Sequence, residues 1–120
     1  MLATAKAQNR RLGGLFSLSY AALKRPEVNI PLGVAFMARL TEVSGDHWAM
    51  VASAYNAGPG NNRKWRRKWP KHELDLFVES IPFKENRRYV KAVLTSWCRY
   101  RGLYYGNPMS ELAFTLPTRR

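Results

Sequence analysis

Apolar positions along the chain recur at helical spacing, and no stretch alternates with period two between hairpin turns, so the pattern predicts helices and gives a sheet little support. Met1 to Leu12, rich in Ala, Lys, Gln and Arg, reads as a short helix stopped by Gly13-Gly14, where a left-handed C-cap is expected. Leu15 to Leu23 reads as a loop or half-helix. Pro26 marks a helix entry with Glu27 beside it, and Ile30, Leu32, Val34, Phe36, Met37, Leu40 and Val43 supply a broad apolar face. Gly45 ends that helix and Asp46 is the expected N-cap of the next, whose buried stripe is Trp48, Val51, Ala52 and Tyr55.

Gly58-Pro59-Gly60 must break the chain sharply, because it combines backbone freedom with a missing donor. Asn61 to Lys71 is mostly cation and tryptophan, and Pro70 terminates whatever helix it forms. Glu73 to Ser80 predicts a short helix, Ile81-Pro82-Phe83 a bend, and Lys84 to Tyr105 a long helix with Val90, Val93, Leu94, Trp97 and Tyr100 facing inward. From Gly106 the signal fades into a basic tail. The fold class is all-α.

At 120 residues the chain has the length of one domain, and 46% apolar with 12% aromatic residues is enough for a packed core. Charge changes the picture more: 20 Lys and Arg against 8 Asp and Glu give +12, which calls for a polyanionic partner. Nucleic acid, anionic lipid and the carboxylate-bearing bacterial cell wall all satisfy that charge. A single cysteine, Cys98, excludes an intrachain disulfide and reads as a small packed hydrophobe; no residue pattern suggests a metal, and no cofactor is expected. No apolar run is long enough for a membrane span, and no export signal is present in the chain.

Ala54-Tyr55-Asn56-Ala57-Gly58-Pro59-Gly60 presents an aromatic hydroxyl and a carboxamide at a helix end beside glycines. Taken alone it has two readings: a place where a ligand approaches backbone closely, or a Gly-capped helix with Tyr55 in the core. Two further blocks flank it. Pro26-Glu27-Val28-Asn29-Ile30 with Leu32-Gly33-Val34-Ala35-Phe36 lies upstream, and Phe77-Val78-Glu79-Ser80-Ile81-Pro82-Phe83-Lys84-Glu85-Asn86-Arg87-Arg88-Tyr89-Val90 lies downstream.

Together the three blocks resemble the soluble branch of the lytic transglycosylase (SLT) family, with Arg25 where that family carries aspartate and Asn86 where it carries threonine. The resemblance implies a lysozyme-like (goose-type) helical domain lacking its N-terminal helix, with residues 1–105 a partial SLT domain and 106–120 a basic tail. Enzymes of this kind cut the β-1,4 bond between N-acetylmuramic acid and N-acetylglucosamine, with the muramyl 6-hydroxyl as nucleophile and a 1,6-anhydro sugar as product. One glutamic acid serves as acid and then base, unlike the carboxylate pair of ordinary glycosidases. Met1-Leu2-Ala3-Thr4-Ala5 looks like the end of the segment that follows that glutamate, which places the catalytic Glu-Ser pair upstream of Met1.

No catalytic residue is therefore assigned within the chain, and the chain alone is expected to be inactive. The resemblance carries substrate-binding roles to Tyr55, Asn56, Ala57, Gly58, Glu85 and Tyr89. Each has a structural alternative: Glu85 pairing with Arg87, Arg88 or a helix N-terminus, and Tyr89 packing in the core. Glu79 matches a family glutamate, with bracing of the Pro82 bend as the alternative. The expected partner is the peptidoglycan glycan strand, in the bacterial cell envelope or periplasm, with no nucleic acid expected and self-association through an exposed apolar groove. The competing reading is a non-catalytic peptidoglycan-binding or assembly module. Asn62 to Trp69 also has the cations and rings of a single-stranded nucleic acid or membrane surface, against a basic helix anchored by Trp65 or Trp69 or a contact with anionic glycan strands.

Overall fold

A computed structural model describes residues 2–44, 47–69 and 73–106 of the chain. The described residues form six α-helices, one 3-10 turn and no strand: α1 (Leu2–Arg11), the turn Ala22–Lys24, α2 (Pro26–Ser44), α3 (Trp48–Ala57), α4 (Pro59–Lys68), α5 (Leu74–Ser80) and α6 (Lys84–Tyr105). They divide into two compact units, Met1–Val43 and Ser44–Arg120.

In the first unit α1 stops where expected, because Gly13 and Gly14 both adopt positive φ, a conformation that costs other residues a steric clash. Asn9 then anchors the outgoing loop with both ends of its carboxamide: Nδ2 donates to the Phe16 carbonyl at 2.7 Å and Oδ1 accepts from the Phe16 amide at 3.0 Å. Ala5 of α1 packs with Val28 and Leu32 of α2, and Leu12, Phe16, Leu18 and Leu23 close over them. The broad apolar face predicted for α2 is narrower in the structure. Val28, Leu32 and Leu40 are buried, whereas Ile30 and Val34 are 62% and 63% exposed and Val43 is also open. Burial selects one stripe of a helix; the apolar residues two positions away from Leu32 fall off it.

The second unit holds the larger core. Ala49, Met50 and Ala52 of α3, Trp65 of α4, Leu74, Phe77 and Val78 of α5, Ile81 of the bend and Val90 of α6 form one cluster. Of the stripe predicted for α3, Val51 and Ala52 are buried as expected, but burial runs through every residue from Ala49 to Ala54, while Trp48 and Tyr55 at its ends are partly exposed. On α6, Val90 is buried and Val93 and Leu94 pack against the core, but Tyr100 is exposed and stacks on Tyr104 instead. Leu103, Tyr104 and Tyr105 of the last turn of α6 are exposed as well. Trp65 is the inward anchor of α4, 7% exposed and edge-on to Phe83 at 5.2 Å between centroids.

The 81–83 bend is clamped at both ends. The Arg87 guanidinium donates to the Ile81 carbonyl, and Lys91 of α6 pairs with Glu79 of α5. Glu79 thus does the bracing that the sequence offered as its structural role. The expected N-cap Asp46, the helix stop at Pro70 and the basic tail lie outside the described residues, and His47 occupies the N-cap position of α3.

Candidate functional site

The break between α3 and α4 is a single residue. Gly58 sits at φ 86°, ψ 146°, a region essentially closed to residues with a Cβ, and its amide still closes the last turn of α3 on the Ala54 carbonyl at 2.9 Å. Pro59 then starts α4 at a position where no N–H is needed. Asn61 Nδ2 satisfies the Ala57 carbonyl at 2.8 Å, and buried Asn62 donates to the Met50 carbonyl at 3.2 Å, tying α4 back onto α3. Tyr55 and Asn56 are thereby held on the final turn of α3, beside a glycine that leaves the backbone bare.

Tyr55 is 39% exposed, so of the two readings of the Ala54–Gly60 segment the core tyrosine is ruled out. Asn56 is also exposed, and Ala57 packs against the core from the same turn. Across from them stands the first turn and a half of α6, where Glu85 and Tyr89 share a face at i, i+4 spacing. Tyr89 does two things at once. Its ring packs against the core, and its hydroxyl ionises above the usual 10.0, first because burial disfavours the charged form and second because the Tyr55 hydroxyl, once charged, opposes it. Glu85, in the first turn of α6, is exposed and makes no ion pair among the described residues, since Arg87 is turned to Ile81.

Asn86 joins the two sides. It is 1% exposed, and its carboxamide makes three hydrogen bonds: Oδ1 accepts from Ser53 Oγ at 2.9 Å, and Nδ2 donates to the Ser53 carbonyl at 3.0 Å and to Asn56 Oδ1 at 2.8 Å. A backbone carbonyl can only accept, so the Ser53 carbonyl fixes which end of Asn86 is the donor. Asn86 in turn engages Asn56 Oδ1, so the exposed carboxamide of Asn56 keeps its NH₂ as a donor. Sequence reasoning noticed Asn86 only as a departure from threonine and missed Ser53 altogether. The one available signal was a pair of polar residues falling on the buried faces of α3 and α6.

The Asn86–Asn56 hydrogen bond sets the last turn of α3, which carries Tyr55 and Asn56 and ends in Ala57 and Gly58, against the start of α6, the helix that carries Glu85 and Tyr89. Among the described residues no group of three or more His, Cys, Asp or Glu could hold a metal ion, and no helix is long and apolar enough to cross a membrane.

A helix-only fold with a tyrosine-asparagine turn set against the start of a long helix is that of a lysozyme-like helical domain. The Transglycosylase SLT domain family matches residues 1–77, and the chain belongs to that family. It is 40% identical over 80 residues to the soluble lytic murein transglycosylase of Salmonella typhimurium, a match covering 66% of this chain and 12% of the relative. A solved complex of the 70-kDa soluble lytic transglycosylase with bulgecin A superposes on the whole chain with a TM-score of 0.87 and 32% identity, over 19% of its own length. An inactive glutamate-to-glutamine mutant of the Pseudomonas aeruginosa lytic transglycosylase Slt matches 91% of the chain and 17% of its own length, with a TM-score of 0.79 and 35% identity. The chain thus spans about one eighth of the curated relative's length. Glu85, Asn86 and Tyr89 lie past the family match, and their likeness to the family rests on the superposed structures.

Proposed function

We propose that this chain forms the substrate-binding wall of a peptidoglycan lytic transglycosylase-type domain in the bacterial cell envelope or periplasm. The observation that carries the reading is the hydrogen bond from Asn86 to Asn56, which holds the Tyr55-Asn56 turn at a one-residue helix break against the start of α6, the helix that bears Glu85 and, one turn later, Tyr89. Asn56 donates to the carbonyl of an acetamido group, Tyr55 and Tyr89 offer hydroxyls to the sugar ring, and Gly58 lets the strand approach backbone. Glu85 accepts from sugar hydroxyls. The murein named for the Salmonella relative and the bulgecin held by the 70-kDa enzyme support a glycan as the ligand.

No residue of the chain is assigned the acid of bond cleavage. A general acid in glycoside chemistry sits in an apolar, water-poor pocket. Among the described carboxylates Glu27, Glu42 and Glu79 are paired with cations, Asp75 accepts from the Leu76 amide, and Glu73 and Glu85 are open to water. That environment favours binding without cleavage for the chain by itself, which is also what a non-catalytic peptidoglycan-binding module would do. Exposed Ile30 and Val34 support the separate expectation of self-association, which sedimentation equilibrium reads.

The test uses peptide-free murein glycan strands. The chain should bind them, Asn56→Ala and Tyr55→Ala should each weaken binding several-fold, and no 1,6-anhydro product should appear. Unchanged binding in both variants would remove the site from this face, and release of anhydro product would show that the chain holds its own acid.

A further inference from the structure

Half of α4 faces the core and the other half is exposed. Asn62 and Trp65 point inward, and Arg66 donates to the Ser44 carbonyl at 3.2 Å. Arg63, Lys64, Arg67 and Lys68 are exposed, and among the described residues none of the four makes an ion pair. They stand as two i, i+4 pairs of like charge, Arg63 with Arg67 and Lys64 with Lys68, an arrangement that works against the helix. The helix dipole accounts for cations in the last turn, Arg67 and Lys68, but not for Arg63 and Lys64 in mid-helix. No acid lies on α4 to balance them.

We propose that this face of α4 is an electrostatic rail for the carboxylates of the peptides carried on a murein strand. The inference rests on the glycan-binding reading above and adds a second surface to it. Continuity argues for it: α4 begins one residue after Gly58, so a strand leaving Asn56 meets a helix whose cations extend to about 14 Å from its start. Chemistry argues against the other polyanions. Single-stranded nucleic acid needs exposed rings for base stacking, yet Trp65 is buried, and Trp69 packs on the core with the Lys68 ammonium 5.1 Å from its ring centroid. A membrane surface needs apolar side chains among the cations, and the exposed positions of α4 hold only Pro59, Gly60 and the four cations. What is left is a dry-core helix with a purely ionic outer face, suited to separate carboxylates that Arg grips in bidentate fashion and Lys as point charges.

The experiment compares sedimentation of the full chain with peptide-bearing murein and with amidase-stripped, peptide-free murein, using wild type and the combined variant Arg63→Gln, Lys64→Gln, Arg67→Gln, Lys68→Gln. Circular dichroism verifies that the variant is helical. Wild type should bind peptide-bearing murein roughly tenfold more tightly than stripped murein, as expected for several exposed ion pairs acting together. The variant should bind both alike, and raising the salt should close the gap for wild type even if the variant fails to fold. A gap that survives in the variant, or that is absent from wild type, overturns the rail. Tighter binding to single-stranded DNA than to peptide-bearing murein at equal charge overturns it in favour of nucleic acid. Loss of binding to stripped murein alone, with the peptide-dependent gap intact, counts against the glycan face and leaves the rail standing.

Discussion

Replacing Asn86 tests the link between the core and the candidate site, because this side chain is at once 1% exposed and bonded to Asn56. Asn86→Ala deletes three hydrogen bonds. Asn56 Oδ1 is near solvent and recovers a water, so its loss costs little stability. Ser53 is fully buried, and its hydroxyl keeps no outside acceptor. One buried group left unsatisfied costs about 1–3 kcal/mol, and the small void left by the carboxamide adds to it. A total of about 2–4 kcal/mol corresponds to a drop of roughly 10 °C in Tm for a domain of this size. Asn86→Thr, the residue of the family pattern, retains one donor and one acceptor and should lose about half as much.

Asn86→Asp preserves the shape but turns the donor toward two oxygens into an acceptor. Burial raises the folded-state pKa of such a carboxyl above its unfolded value, so its stability is intact below about pH 4 and is lost as pH rises through the folded value. This variant should therefore melt closest to wild type in acid and furthest from it at neutral pH. Thermal unfolding by circular dichroism at both pH values measures this, and binding to peptide-free glycan measures the second consequence, a carboxamide at Asn56 that no longer holds one orientation. Asn86→Ala melting within a degree of wild type, or an Asp variant with no pH slope, would refute the reasoning.

Other outcomes follow from single residues. Gly58→Ala should destabilise by about 1–3 kcal/mol although a Cβ there meets no neighbouring atom, because the cost lies in the backbone at φ 86°; Gly60→Ala, in ordinary helical backbone, should instead gain about 0.4–1 kcal/mol, both read from urea midpoints. Spectrophotometric titration should find Tyr89 ionising above 10.0, and Tyr55→Phe should lower it only in part, since burial is the larger cause. Because the folded value is raised, the stability tied to neutral Tyr89 is complete below pH 10.0 and declines as pH climbs through the folded value, which alkaline unfolding curves would register. Phe77→Ala empties the most buried large side chain and should cost about 3–5 kcal/mol, whereas Val34→Thr on the exposed side of α2 should stay within about 0.5 kcal/mol by chemical denaturation.

Local sequence carried a large part of this molecule. Gly13-Gly14, Pro26, the Gly58-Pro59 break and the 84–105 helix act through the conformational limits of the residues themselves, and each boundary stands where those limits put it. The turn bearing Tyr55 and Asn56 was legible for the same reason, and the family resemblance then attached a chemistry to it. Burial was less legible. Ile30, Val34, Trp48 and Tyr100 share the periodicity of core residues, yet whether an apolar side chain is covered depends on what another helix brings opposite it. The same holds for the site: that Asn86 reaches Ser53 and Asn56 across 33 and 30 positions of sequence is a product of α3 packing on α6. By itself the sequence determined which segments are helical, where they break and how much charge α4 carries, because these follow from each residue's own backbone and side chain. Only the tertiary structure decided that Tyr55 is exposed, that Asn56 Oδ1 is taken by Asn86 and that the four cations of α4 make no ion pair among the described residues, because each is a relation between residues that meet only when the helices pack.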